Sequence, residues 1–274
     1  MPVAIAVGVA LLAVLAGLAM LGPRYLLGLV VVVLGIAAGE FFDAVRRAGY
    51  QPAQLLGIVA VVALPPAAYW RGPAALPVVL FVSLIGLMVV FLTSGGLESN
   101  PAPNIAITLL GIVYIGFLGS YAALILRGFE NPAVANNGVG TLWAIVIGIV
   151  GYDVGGLVFG SSVGRSKLVE WVSPNKTWEG LIGGMLVSFL AIFACYLLKL
   201  HPWDVKAVHA VQLGLVVAIA APLGDLGESM LKRNLGVKDF GSILPGHGGA
   251  LDRFDAFLFV LPAVYYLTRV LNIY

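Results

Sequence analysis

Nine apolar stretches, each about 20 residues long, follow one another along this 274-residue chain, and no other feature restricts its fold as severely. They run from about Val3 to Leu21, Tyr25 to Phe42, Pro52 to Tyr69, Ala75 to Leu92, Ile105 to Leu126, Val139 to Phe159, Trp178 to Leu200, Val211 to Leu231 and Phe254 to Val270. In lipid each backbone N–H and C=O needs a partner within its own segment, which a helix supplies. The expected fold is all-α, a polytopic transmembrane bundle of about nine spans forming one integral membrane domain over 1–274. Charged residues make up only 10% of the chain, against about 25% in soluble domains, and mean hydropathy is +1.03. A separate soluble domain has no room. A net charge of +2 lacks the basic stripe that nucleic-acid binding needs. The single cysteine, Cys195, excludes an intrachain disulfide and a cysteine-based metal site. The first stretch has neither a basic leader nor a small-x-small cleavage site, so a removable signal peptide is the weaker reading.

The charges gather between Asp225 and Asp255, at the junction of the last two stretches. Asp225, Glu228, Ser229 and Lys232 share one helical face by their i, i+3, i+4 and i+7 spacing, and Asp252 and Asp255 make a second acidic face. Between them, Gly236 to Gly249 holds five glycines that let backbone approach a ligand closely. Carboxylates with lysines and arginines suit a metal nucleotide, because Mg²⁺ takes one or two carboxylates plus phosphate oxygens while bases neutralise the remaining charge. Asp225 and Glu228 follow the apolar run without a polar linker, and acids at membrane depth are functional by default. Pro222 just before them is expected to loosen the helix.

A second polar segment follows Asp153: Arg165, Lys167 and Lys176 lie among glycines and hydroxyls, and Glu179 stands where a helix start favours an acid. The first half, 1–137, reads mostly as scaffold, and 138–274 as catalytic spans and loops. Glu40, Asp43, Arg46 and Arg47 are spaced for helical ion pairing at the water interface, a structural role. His201 and His209 read as interfacial residues.

Ser229-x-x-Lys232-Arg233, Lys238-Asp239 and Pro245-Gly246-His247-Gly248-Gly249-x-x-Asp252-Arg253-x-Asp255 together resemble the signature of the phosphatidate cytidylyltransferases, also called CDP-diacylglycerol synthases. Ser173, Pro174, Lys176, Thr177, Trp178, Glu179 and Gly180 match a second run of that family, whereas Leu157, Ser161, Val163 and Asn175 depart from it. The resemblance implies a membrane enzyme that joins CTP to phosphatidic acid, giving CDP-diacylglycerol and pyrophosphate with Mg²⁺. On this reading Asp225 and Asp252 hold the metal, with Asp153, Glu228 and Asp255 as additional ligands and room for a second cation. The catalytic set is Asp225, Asp252, Lys232, Arg233, His247 and Asp255. Lys167, Ser173, Lys176, Thr177, Ser229, Lys238, Asp239, Gly248, Gly249 and Arg253 bind substrate. His247 either donates to pyrophosphate or braces its turn, and Ser229 either binds phosphate or satisfies the preceding helical turn.

Counting bases by face gives ten, Arg269 included, with the charged loops and five opposite, which places those loops in the cytoplasm. The expected orientation has the N-terminus outside, the C-terminus inside and the site in the inner membrane facing the cytoplasm. Partners are CTP, phosphatidic acid and the bilayer, not nucleic acid; a homodimer is compatible with the sequence. Two rivals remain. A CTP-dependent lipid kinase, or a cytidylyltransferase for another lipid phosphate, shares part of the last motif. A secondary transporter would also use intramembrane acids, but the chain shows no internal repeat.

Overall fold

The computed structural model describes residues 2–94, 100–127, 137–243 and 248–273. Ten α-helices are present among them: α1 (Pro2–Leu21), α2 (Pro23–Arg47), α3 (Gln54–Arg71), α4 (Ala75–Ser94), α5 (Pro101–Gly111), α6 (Tyr121–Arg127), α7 (Asn137–Val163), α8 (Trp178–Leu197), α9 (Ala207–Asn234) and α10 (Leu251–Val270). A π-helical turn, Ile112–Phe117, joins α5 to α6, so each of the nine apolar stretches falls on helix. Seven of these segments are long and apolar enough to cross a membrane: α2, α3, α4, α5 with α6, α7, α8 and α9. In α1 the apolar stretch so identified is the shorter Leu12–Leu21, and α10 carries Asp252, Arg253, Asp255 and Arg269. The protein is a polytopic helical membrane protein. The small exception to all-α is an antiparallel hairpin, β1 (Lys167–Val169) with β2 (Ser173–Thr177), pairing Lys167 with Thr177 and Val169 with Ser173.

The chain divides into two compact units, Met1–Arg127 with Asn234–Phe254, and Gly128–Arg233 with Asp255–Tyr274. In the first, Phe41, Phe42, Val61, Leu64, Ile115 and Leu126 are fully buried. Small residues set how closely these helices approach. A Cβ on Gly111 would stand 2.8 Å from the rings of Phe41 and Phe42, and one on Gly116, in the π-helical turn, 2.7 Å from Leu64. Asn104 and Thr108, both buried, accept the N–H groups of Gln51 (2.8 Å) and Ala53 (3.1 Å). These amides precede α3, where no helical carbonyl is available to them.

In the second unit α7 and α8 pack antiparallel along a seam of glycines. A Cβ on Gly155 would meet the Gly183 carbonyl at 2.8 Å, and one on Gly184 the Tyr152 carbonyl at 2.8 Å. Lipid gives apolar helices little reason to associate, so close backbone packing supplies the attraction. The expected loosening at Pro222 leaves no break in the helix: α9 runs continuously from Ala207 to Asn234.

Hydrogen bonds within this unit also correct the expected sidedness. Asn137 at the start of α7 donates through Nδ2 to the Ile273 carbonyl at 3.0 Å, and its Oδ1 lies 2.8 Å from His201 Nε2 in the α8–α9 connection. The end of α10 therefore lies with the start of α7, opposite the hairpin that follows α7. The reading that grouped Arg269 and the C-terminus with the charged loops does not hold. Within this unit Asp255 lies near Asp225 while Ile273 lies with Asn137, so Arg269 belongs to the opposite end, and moving it across leaves nine bases against six.

Candidate active site

The hairpin end of the second unit encloses a cleft of about 400 Å³, lined by Tyr152, Asp153, Gly156, Lys176, Thr177, Asp225 and their neighbours. Local chemistry builds each wall. Thr177 ends β2 and caps α8, its Oγ1 accepting the Gly180 N–H at 3.1 Å. Glu179, one residue into α8, turns back to accept the N–H groups of Arg165 (3.1 Å) and Ser166 (3.2 Å). Its carboxylate thereby ties the Gly164–Ser166 turn to the helix start. Gly156, Gly160 and Gly180, where α7 and α8 meet, line the cleft without side chains.

Lys176, from β2, forms an ion pair with Asp225, from α9, and both side chains are about a quarter exposed. Two segments distant in sequence thus place a base and an acid in one cavity. Asp255 lies within electrostatic reach of Asp225, Lys232 and Asp153. Farther along α9, Lys232 pairs with the fully buried Glu228 at 2.5 Å. Arg233 donates through Nε to the Val172 carbonyl at 3.0 Å, fastening the end of α9 to the hairpin. Lys167 is exposed, Ser173 is half-buried in the strand pair, and Ser229 is half-buried on α9.

In the first unit the described parts of the glycine-rich loop, on either side of residues 244–247, meet at Asp252. Its carboxylate accepts the Phe240 N–H at 3.0 Å and the Gly249 N–H at 2.8 Å. Gly248 has φ +84°, and a Cβ there would stand 3.2 Å from Asp252 Oδ2, so glycine suits that position twice over. Lys238, Asp239 and Arg253 are exposed. His247, with Pro245 and Gly246, lies outside the described residues.

Sequence reasoning assigned Glu40 and its neighbours to helical ion pairs at the interface, and the structure uses them otherwise. Asp43 accepts from Gln54 Nε2 at 3.0 Å, Arg46 donates to Gln54 Oε1 at 3.1 Å, and Arg47 donates to the Phe240 carbonyl at 3.1 Å. Glu40 is buried against the glycine-rich loop. Tyr152, Gly156 and Leu181 are cleft residues that sequence reasoning missed; the glycine spacing of α7 and α8 was the available signal.

Among the described residues, no three His, Cys, Asp or Glu side chains are grouped to hold a metal by themselves. A magnesium ion asks for less, one or two carboxylates with phosphate oxygens. The donor chemistry fits that demand: Asp225 is a hard oxygen donor already matched with a positive charge, the Lys176 ammonium. Asp252 spends part of its acceptor capacity on loop amides, and a carboxylate has about four lone-pair positions.

Fold and site together define a class: a helical membrane bundle with an acid and a base paired in a largely apolar cleft. The chain belongs to the cytidylyltransferase family, whose model matches residues 2–271. It is 30% identical over 272 residues to the phosphatidate cytidylyltransferase of Mycobacterium tuberculosis H37Rv, covering 93% of this chain and 78% of the relative. The phosphatidate cytidylyltransferase of Synechocystis is 30% identical over 279 residues, 93% of this chain and 92% of that protein. That of Bacillus subtilis is 36% identical over 163 residues, 60% and 58% of the two chains. The protein is a nucleotidyltransferase.

Proposed function

We propose that this chain transfers CMP from CTP to phosphatidic acid, giving CDP-diacylglycerol and pyrophosphate at the cytoplasmic face of the membrane. The observation that supports this most is the Lys176–Asp225 pair in a cleft walled by the hairpin and α7 to α9. Lys176 meets phosphate charge once nucleotide enters, releasing Asp225 for a cation. Magnesium, held by Asp225 with Asp153 or Asp255 beside it, would neutralise the triphosphate. Lys232 adds positive charge to the same cluster through its reach to Asp255.

The reaction needs positioning and charge neutralisation more than covalent help. An oxygen of the lipid phosphate attacks the α-phosphorus in line, the bond to the β-phosphate bridging oxygen breaks, and pyrophosphate leaves with its electron pair. A phosphate monoester is already largely ionised near pH 7, so no strong general base is required. CTP is a cytoplasmic solute, so the hairpin faces the cytoplasm and the Ile273 end of α10 faces away from it. The test is incorporation of radiolabelled CTP into lipid by purified protein with phosphatidic acid in detergent, with and without Mg²⁺. Labelled CDP-lipid with release of pyrophosphate is expected; release of CDP instead would make the protein a lipid kinase.

A further inference from the structure

We propose that Glu40, on α2 and outside both charged segments, is a positioning residue that holds the glycine-rich loop and the first turn of α10 in place. A carboxylate that is only 6% exposed is costly unless it answers a need. Here the need is the Leu251 N–H, which Glu40 Oε2 accepts at 2.9 Å across 211 positions of sequence. Leu251 opens α10, so its amide has no helical carbonyl to reach. Glu40 thus does from another helix what a capping residue does locally.

The loop is shaped to admit this carboxylate. A Cβ on Gly249 would lie 2.7 Å from Glu40 Cδ, and one on Gly241 would lie 2.8 Å from its Cγ. Two glycines of the loop therefore close on one side chain. Glu40 Oε1 is buried there as well, and the carboxylate draws on the Ala250 amide beside that of Leu251. Asp252 draws in Phe240 and Gly249 by their amides, and Arg47 takes the Phe240 carbonyl. Glu40 and Asp252 grip the same loop, and Glu40 fixes the turn that carries Asp252.

What this role demands is reach and an acceptor oxygen rather than negative charge. Gln keeps both, whereas Asp keeps the charge and is one methylene short. The experiment compares full-length E40Q and E40D for CTP incorporation, resolved into kcat and KM, and for amide exchange at Gly249 and Leu251. E40Q is expected within about threefold of wild type, and E40D at least about tenfold lower in kcat, as small misplacements near a reaction centre produce. Faster exchange at Leu251 is expected in E40D and not in E40Q. Gly241→Ala, which drives a methyl group into the carboxylate from the loop side, is expected to lose as much as E40D. E40D turning over as well as or better than E40Q, or unchanged exchange at Leu251 in E40D, would overturn the proposal. The activity arm rests on CMP transfer as the reaction. The exchange arm does not, so a protein without CTP incorporation would refute that function while Glu40 was still being judged.

Discussion

At the residue scale the chemistry reduces to which groups meet Asp225. Replacing it by Asn preserves size but removes the charge that pairs with Lys176. Turnover is expected to fall about 10²-fold, the order lost when one charge-stabilising group is removed from a preorganised site. Lys176→Ala is expected to raise the KM for CTP at least about tenfold, read from initial rates over a CTP series; wild-type KM would return β2 to a purely structural role. Both residues were legible in the sequence, Asp225 as an acid directly after an apolar run and Lys176 as a base within a family-like run. Glu40 was not. The i, i+3 and i+4 spacing among Glu40, Asp43, Arg46 and Arg47 offered an obvious local explanation, while the actual partner of Glu40 is 211 positions away. The burial of a carboxylate against a distant backbone amide leaves no mark in local spacing.

At the element scale the helices were legible from apolar length alone, and the hairpin was not. Its strands are three and five residues long, too short for alternation to register, and β2 contains Pro174. Side-chain hydrogen bonds supply what strand length does not. Thr177 caps α8, and Glu179 gathers the amides of Arg165 and Ser166. Thr177→Ala is expected to cost about 1 kcal/mol of stability, the usual loss for a helix cap, measured by thermal unfolding in detergent. Activity should fall as well, since the same residue lines the cleft; an unchanged melting temperature would mean that the cap contributes nothing. The α7–α8 seam was not read, although its glycines stand in the sequence. Their pairing depends on the antiparallel register of two helices, which spacing within either one does not specify.

At the scale of the whole molecule the succession of apolar helices was accessible, seven of the nine expected spans being long and apolar enough to cross, and their closure was not. The division that puts Asn234–Phe254 with Met1–Arg127 joins segments remote in sequence. The grouping of the C-terminal end with the charged loops failed for a simpler reason: bases were counted by loop, and the far end of α10 was assigned to the wrong face. The Asn137–Ile273 hydrogen bond corrects it. Cysteines introduced at Lys206 and Ile273 are expected to react with an impermeant thiol reagent added to sealed cells, and one at Ser166 to be protected. The reverse pattern would invert the molecule in the membrane. The most direct measurement of the central claim is the initial rate at which label on the α-phosphorus of CTP enters phosphatidic acid, for wild type and Asp225→Asn at equal folded concentration with Mg²⁺. The account predicts α-label in the lipid, γ-label in pyrophosphate, and a rate about 10²-fold lower in the variant. Equal rates in the two proteins, or γ-label in the lipid, would contradict it.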